Sequence, residues 1–426
     1  MGIPAEVAIV GCGNRGRVYA KHATNSSDKI KITAVADPNE FRVKMAGDMF
    51  GVPDENRFRS CDEFLASGIR VDAVINATMD RDHYDTSIKI LNAGFDMLVE
   101  KPICLTKQEL LDIYEAAVTN KCRVMVCHVL RYAPFYAEIK RRILAGEIGR
   151  IYSMVTEENV SFHHFATAFV RGKWGNSDMC GSQIMMAKCC HDLDIIAWLK
   201  NDSVPVYVSS MGGLYNYIEE NFPKGASDIC TEGCMHSDHC EYDAEKMYVT
   251  EGLWHYYSHE FLDDYEDRDS DERLLWSLSN GNPYGKCVWK SGNNVNDHQT
   301  VTIEFADGCV VSHNLIGGTP KADRTIHIAG TKGEIYGSIE GNYFYIRKPD
   351  LSNPKRYTEE KIDLDATGDG HGGGDERLSA DFVEFITGGE TSVSRTELQD
   401  SIYGHLIGFG AHEAMTGKKV VKIERL

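Results

Sequence analysis

Lys101, Lys188 and His191 are the side chains of this sequence best suited to moving a proton. Lys101 follows the apolar run 97–99 in MLVEKP, and Lys188 shortly precedes His191 in KCCHD. Such groups serve hydride transfer at a carbinol carbon, where the hydroxyl proton needs an acceptor and the nascent carbonyl oxygen a donor. A site for the hydride acceptor lies near the N-terminus. Four apolar residues, 7–10, lead into Gly11, Gly13 and Gly16 in G-x-G-x-x-G spacing, the pattern of a strand, a tight turn and a helix around a pyrophosphate. Gly11 permits the turn, Gly13 admits the phosphates and Gly16 lets the helix pack close. Asn14 and Arg15 open that helix, whose N-terminus faces the anion. A second strand, 31–36 (KITAVA), ends on Asp37. An acid there accepts hydrogen bonds from the adenosine ribose and repels a 2′-phosphate, which favours NAD over NADP. Arg42 leaves NADP open, and Asp37-Pro38-Asn39 would also serve as a plain turn.

These residues require a doubly wound sheet to position them. Helical patterns at 40–50, 61–67 and 82–93 alternate with strands at 73–77 and 97–99, which implies a parallel α/β sheet. Ligands of such sheets bind at the carboxyl ends of the strands, so Thr78, His83, Glu100 and Lys101 are expected to border the nucleotide. In the second half, strand-like runs at 151–156, 204–210, 300–304, 310–314 and 325–328 suggest an open, largely antiparallel sheet, with helices at 185–199 and 378–386. The expected architecture is an α/β Rossmann domain, 1–130, and an α+β domain, 131–426, whose last helices are free to pack back on the first.

Composition narrows the partners. With 45 basic against 64 acidic residues the net charge is −19, which argues against nucleic acid and anionic membranes. No apolar run is long enough to span a membrane, and the first strand starts at once, so neither a span nor a secretory signal is expected. Thirteen cysteines in mostly apolar segments suit a reducing, cytoplasmic setting better than a disulfide framework. The acidic run 263–272 (DDYEDRDSDE) reads as a solvated loop or helix face.

Three stretches carry a family resemblance. They are AVINATMDRDHYDTSIKILNAGFDMLVEKP, then RYAPFYAEIKRRILAGEIGRIYS with Arg131, Pro134, Lys140, Gly146, Ile148 and Gly149, and IHIAGTKGEIYGSI at 326–339. Together they resemble the Gfo/Idh/MocA oxidoreductases along the whole chain. The resemblance implies that the EKP lysine, Lys101, belongs to the active site and that a cis bond precedes Pro102. It implies a second-domain sheet that covers the nicotinamide, a substrate cleft between the domains, and a homo-oligomer built through that sheet. His191 is then an acid/base or sugar ligand, with Asp194 three residues on. Most dehydrogenases of the family carry an aspartate four residues before this histidine, where this chain has Ala187. Lys188 faces nearly the same way on a helix and could supply a second base. One branch of the family carries K-x-C-H-D instead. The motifs at His163-His164, Arg171-Gly172-Lys173-Trp174, Tyr284–Cys287, Asp297-His298-Gln299 and Gly370–Asp375 resemble that branch. On this basis His164, Arg171, Trp174, Asp192, His298 and His371 are expected to contact a sugar, and the glycines around His371 to form a mobile loop over the cleft.

Cys230, Cys234 and Cys240, with His236 and His239 between them, are dense enough for a structural zinc, with His239 or Cys287 as fourth ligand. Buried free thiols are the alternative. The leading expectation is an NAD-dependent dehydrogenase or reductase for a sugar, polyol or glycoside. The alternative is a redox-neutral glycosidase or lyase, in which a transient keto-sugar acidifies a neighbouring C–H, a second base removes that proton, and a substituent leaves before the ketone is reduced again. A third reading, a non-enzymatic NAD-binding regulator, has no need of Lys101.

Overall fold

A computed structural model of the chain describes residues 3–26, 28–364 and 371–424. Apolar strands buried on both faces form the first sheet: β1 (Ala5–Val10), β2 (Ile30–Ala36), β3 (Arg57–Phe58), β4 (Ala73–Asn76), β5 (Asp96–Val99) and β6 (Val124–Val126). Their order is β3-β2-β1-β4-β5-β6, and every pair is parallel. This is the doubly wound dinucleotide-binding topology, whose order reverses beside β1.

The second sheet has nine strands: β7 (Ile151–Ser161), β8 (Pro205–Gly213), β9 (His298–Phe305), β10 (Val310–Thr319), β11 (Asp323–Gly330), β12 (Gly333–Ser338), β13 (Tyr343–Pro349), β14 (Tyr357–Asp363) and β15 (Val421–Lys422). They run β14-β13-β12-β11-β7-β10-β9-β8-β15. All neighbours are antiparallel except β7 with β10. Burial alternates strictly along β9, so one face packs on the core while the other presents Tyr152, Tyr207, Met211 and Tyr336 exposed.

Two features tie the halves together. The helix Gly374–Thr387 returns to the first sheet, burying Leu378, Phe382 and Val383 against Val7, Ile9 and Tyr19. Arg131, at the end of the first domain, holds Asp194 of the helix Cys190–Leu199 through two bonds of 2.7 and 2.6 Å. Asp194 is thereby turned to Arg131 and does not act on His191. The helix expected at 185–199 is interrupted. Ile184–Ala187 and Cys190–Leu199 are separate, with Lys188 and Cys189 at the break, so Lys188 owes its position to this turn rather than to helical spacing from His191. Among the described residues no helix is long and apolar enough to cross a membrane.

Candidate active site

A cleft of about 280 Å³ runs along the carboxyl edge of the first sheet and under the second domain. At its floor the Gly11–Gly16 turn is as tight as the spacing requires. A Cβ on Gly11 (φ +93°) would lie 2.4 Å from the Ala77 carbonyl carbon, and one on Gly16 would lie 2.3 Å from Gly11 O. Gly16 therefore supports the turn from beneath, while Gly11, Gly13, Asn14 and Arg15 line the cleft. The first helical bond runs from Arg17 N to Gly13 O at 3.3 Å, so the amides of the helix's first turn have no intrahelical acceptor, the state in which a helix N-terminus receives an anion. Asp37 lines it too, its carboxylate accepting from Cys12 N and Asn39 N, each at 2.8 Å. These residues fit a dinucleotide.

Glu100 and Lys101 extend from β5. Glu100 accepts from Tyr19 Oη (2.7 Å), Arg15 Nε (3.1 Å) and Lys101 N (2.6 Å). Burial pushes its carboxyl up, but Arg15, Lys101 and the hydrogen bonds outweigh that and hold it below the usual range. Arg15 is itself clamped on Asp375 (2.6 and 3.2 Å). The Lys101–Pro102 bond is cis. Lys101 Nζ donates to the backbone carbonyl of Ala187 at 2.7 Å. Thr78 lines the cleft too, and the His83 ring lies between two carbonyls, Nδ1 2.6 Å from Pro102 O and Nε2 3.0 Å from Thr78 O, donating to one of them.

Across the cleft stand Lys188, His191, His164 and His371. Lys188 Nζ lies 3.3 Å from Glu158 Oε1, and Arg324 Nε bridges Glu158 (2.5 Å) and Asp192 (2.9 Å) behind it. Burial lowers the Lys188 pKa against the pull of Glu158, and it raises that of Glu158. Burial, followed by the charge of Lys101, holds His191 well below the ordinary histidine value, and its Nδ1 has no hydrogen-bond partner among the described residues. His164 is pushed the same way by burial, then by Lys188, and stacks on Trp254 with ring centres 4.2 Å apart. His371 is lowered by burial although Asp375, 3.3 Å from its Nδ1, opposes this. It sits in a short turn leading into the helix Gly374–Thr387, and Gly370 of the same motif falls outside the described residues.

Three expected sugar contacts lie elsewhere. Arg171 is buried in the second domain, donating to Lys286 O and Tyr242 O at 2.6 Å each; it pins the chain segment that follows the π-helical turn Ala166–Arg171. His298 opens β9, 55% exposed and bonded to Asp297 at 2.8 Å. Asp192 stands behind the wall, committed to Arg324. Trp174 does line the cleft, its Nε1 on Asp80 at 3.2 Å.

Cys230, Cys234 and Cys240 do not gather into a three-ligand set. The Cys230 sulfur sits 3.4 Å from Arg171 Nη2, a cation where a metal would have to be. Among the described residues two other groups come within ligand distance, His128 with Cys190 and His405, and Cys189 with Asp192 and His313. In the first, His405 Nε2 already accepts from Ile103 N at 3.0 Å. In the second, Arg324 already supplies the positive charge to Asp192. A further cavity of about 410 Å³ is lined by Arg131 and Lys140, but Arg131 is taken by Asp194 and Lys140 by Trp198 O at 2.6 Å.

Sequence reasoning missed one wall of the cleft. Tyr256, Tyr257 and Glu260 line it beside Arg42, on a segment whose acidic continuation reads as solvated. Asp263 is instead 7% exposed. It accepts from Arg42 Nε (2.9 Å), Asn39 Nδ2 (3.1 Å) and Arg268 Nη1 (2.6 Å), while Glu260 lies 3.6 Å from Arg42 Nη2. The aromatic density of WHYY before the acids is the signal that this stretch packs.

A Rossmann sheet whose carboxyl edge faces a cleft closed by helical and loop segments of a second domain, those bearing His164, Trp174, Lys188 and Tyr256 rather than the strands of its sheet, defines a two-domain dinucleotide-binding protein. The chain belongs to the Gfo/Idh/MocA oxidoreductase family: residues 5–128 match its description "Oxidoreductase family, NAD-binding Rossmann fold" and residues 140–423 its "C-terminal alpha/beta domain". The Bacillus subtilis protein YteT, named an oxidoreductase, is 25% identical, with 98% of each chain covered. The scyllo-inositol 2-dehydrogenase (NAD(+)) of B. subtilis is 32% identical over 34% of this chain and 41% of its own length. Among solved structures, levoglucosan dehydrogenase in complex with NADH superposes with a TM-score of 0.71 at 18% identity over 100% of both chains. An oxidoreductase from Agrobacterium radiobacter does so at 0.68 and 16%, over 99% of both.

Proposed function

We propose that this chain is an NAD-dependent oxidoreductase of sugars or polyols in which Lys101 handles the hydroxyl proton. One observation carries the reading. Lys101 lines the cleft at the carboxyl end of β5 with no carboxylate within ion-pair distance among the described residues, held only by a backbone carbonyl. A lysine amine held there by one carbonyl keeps its remaining valences for a substrate oxygen, as acceptor of the hydroxyl proton in one direction and donor to the carbonyl oxygen in the other. Bound NAD supplies the hydride acceptor. Gly11, Gly13, Asn14 and Arg15 receive the phosphates, Asp37 the adenosine ribose, and Thr78, His83 and Glu100 shape the floor, with Gly16 beneath. Neutral His191 and His371 bind hydroxyls, and the faces of His164, Phe169 and Trp174 exclude water beside the ring. The names of the relatives, inositol and levoglucosan dehydrogenases, support a carbohydrate as substrate.

Lys188 favours a second reading. It faces the cleft near Lys101 with Glu158 3.3 Å behind it, a lysine–carboxylate proton-transfer pair that hydride transfer alone does not need. Such a pair suits removal of a C–H proton beside a transient ketone, the step that makes glycoside cleavage redox-neutral. The exposed aromatic face of the second sheet supports a homo-oligomer, and thirteen free thiols support a reducing compartment.

The test is a panel of free sugars and glycosides with excess NAD+, following NADH absorbance and released leaving group together. Net NADH matched to oxidised sugar supports the dehydrogenase. Leaving-group release over many turnovers without net NADH supports the redox-neutral route, and neither signal with any substrate overturns both.

A further inference from the structure

The acidic stretch around Asp263 acquires a role from its position. It comes from the second domain, yet it closes over the adenosine end of the first-domain site. Arg42 is the natural ligand for a phosphate on the adenosine ribose: it lines the cleft with Asp37 and Gly13, and a Cβ built on Gly13 would lie 4.0 Å from Arg42 Nη1. Its other nitrogens are held from the second domain, Nε by Asp263 at 2.9 Å and Nη2 by Glu260 at 3.6 Å. Asp263 is fixed in turn by Asn39 and Arg268, and the Arg268 guanidinium lies 4.5 Å over the Phe41 ring. Lys173 lies 3.4 Å from Glu260, so that carboxylate is also supported from behind.

We propose that Glu260 and Asp263 are cofactor-selecting residues. They occupy Arg42 and add negative charge beside Asp37, so that the substrate domain itself rejects NADP. This rests on the NAD reading above and extends it to residues outside the Rossmann domain. The physical ground is charge. A 2′-phosphate brings between one and two negative charges into a partly desolvated pocket that holds three carboxylates and whose cations are already engaged, Arg42 by Asp263 and Glu260, Arg268 by Asp263, Lys173 by Glu260 and Arg17 by the carbonyls of Cys12 and Gly13. The ribose hydroxyl of NAD brings none.

The experiment measures dissociation constants of NAD+ and NADP+ on the full-length protein by tryptophan fluorescence, without substrate. In Glu260→Gln/Asp263→Asn the ratio of the two constants is expected to move about tenfold or more toward NADP+, because Arg42 is released. Adding Arg42→Ala should cancel most of that gain. A ratio within threefold of the wild-type value overturns the proposal, as does a gain that survives Arg42→Ala. If Asp263→Asn disturbs folding, Glu260→Gln alone carries the test, with a shift of about threefold expected and none overturning it. A wild-type protein that binds NAD+ while the variants leave the ratio unmoved sinks this inference alone. One that binds neither dinucleotide sinks the NAD reading and this inference with it.

Discussion

The two ends of the cleft treat charge in opposite ways. At the adenosine end charged groups are paired: Asp37 with two amides, Arg42 with Asp263 and Glu260, Asp263 with Arg268. At the chemical end Lys101 rests on a carbonyl, and burial leaves His164, His191 and His371 neutral. Pairing stabilises one ionisation state and one geometry, which suits recognition. An ammonium held by a carbonyl and neutral imidazoles instead present donors and lone pairs to a substrate, which proton transfer and hydroxyl binding demand. Lys188 stands between the extremes, drawn by Glu158 and opposed by burial.

Lys101→Met breaks this contrast most severely. Turnover should fall about 1000-fold, or roughly 4 kcal/mol of transition-state stabilisation, while NAD+ affinity shifts by only a few fold. Stopped-flow turnover and fluorescence titration read the two separately. Loss of both together would make Lys101 a structural lysine like Lys140, and the division between the ends would not hold.

The neutral histidines carry a consequence for stability. His405, fully buried behind the site, is pushed down to about 3 by burial, then by His128, while its nitrogens hold Ile103 N and Ser401 O. His128 and His191 are lowered in the same direction. The unfolded chain then binds more protons between the ordinary histidine pKa, about 6.5, and the folded one. The contribution is therefore complete above about 6.5 and is lost as the pH falls toward about 3. One such histidine changes the unfolding free energy by about 1.4 kcal/mol per pH unit, so several make acid unfolding steep. Denaturant titrations from pH 7 to 4 should show that slope, and His405→Gln should reduce it by about one proton. An unchanged slope would mean that the buried imidazoles titrate alike in both states.

Lys188→Met separates the readings at the chemical end. A second base that removes a C–H proton should cost about 100-fold in leaving-group release when lost, whereas a residue that only positions a hydroxyl should cost about 10-fold and act mainly on KM. Equal, small losses in both assays would return Lys188 to the role of a counter-ion for Glu158.

The sequence made the first domain legible because its signals are local. Glycine spacing, an apolar strand and a strand-terminal acid each report on their own neighbourhood, and Gly11, Asp37 and Lys101 lie where that pattern puts them. The second domain depends on contacts distant in sequence. Arg171 and His298 look like ligands in isolation, yet the partners that occupy them, Lys286 O, Tyr242 O and Asp297, come into range only when the fold closes. The helical pattern over 185–199 hid a break, since apolar periodicity survives the turn that brings Lys188 to Glu158. Asp263 shows the converse error. A run of acids suggests solvent, and residues 264–267, 269, 271 and 272 are exposed, but Arg42 of the first domain and Arg268 of the run itself enclose its first member.

The smallest expected effect sharpens the adenosine end. Asp37→Ala should erode the preference for NAD+ by about five- to tenfold, near 1 kcal/mol, since it removes both a ribose acceptor and one negative charge. It also leaves the amides of Cys12 and Asn39 without their acceptor, so some loss of stability accompanies it. Asp37→Asn removes the charge and keeps an acceptor for one of those two amides, so it costs less stability than Asp37→Ala while still testing the electrostatic part. Asp37 and Asp263 both hold Asn39 and both act on Arg42, so Asp37→Asn and Asp263→Asn should shift the ratio of dissociation constants non-additively, by about 0.5 kcal/mol or more from the sum of the single effects. A ratio unmoved by Asp37→Asn would reduce Asp37 to the cap of its own turn, and selection would fall to the second domain alone.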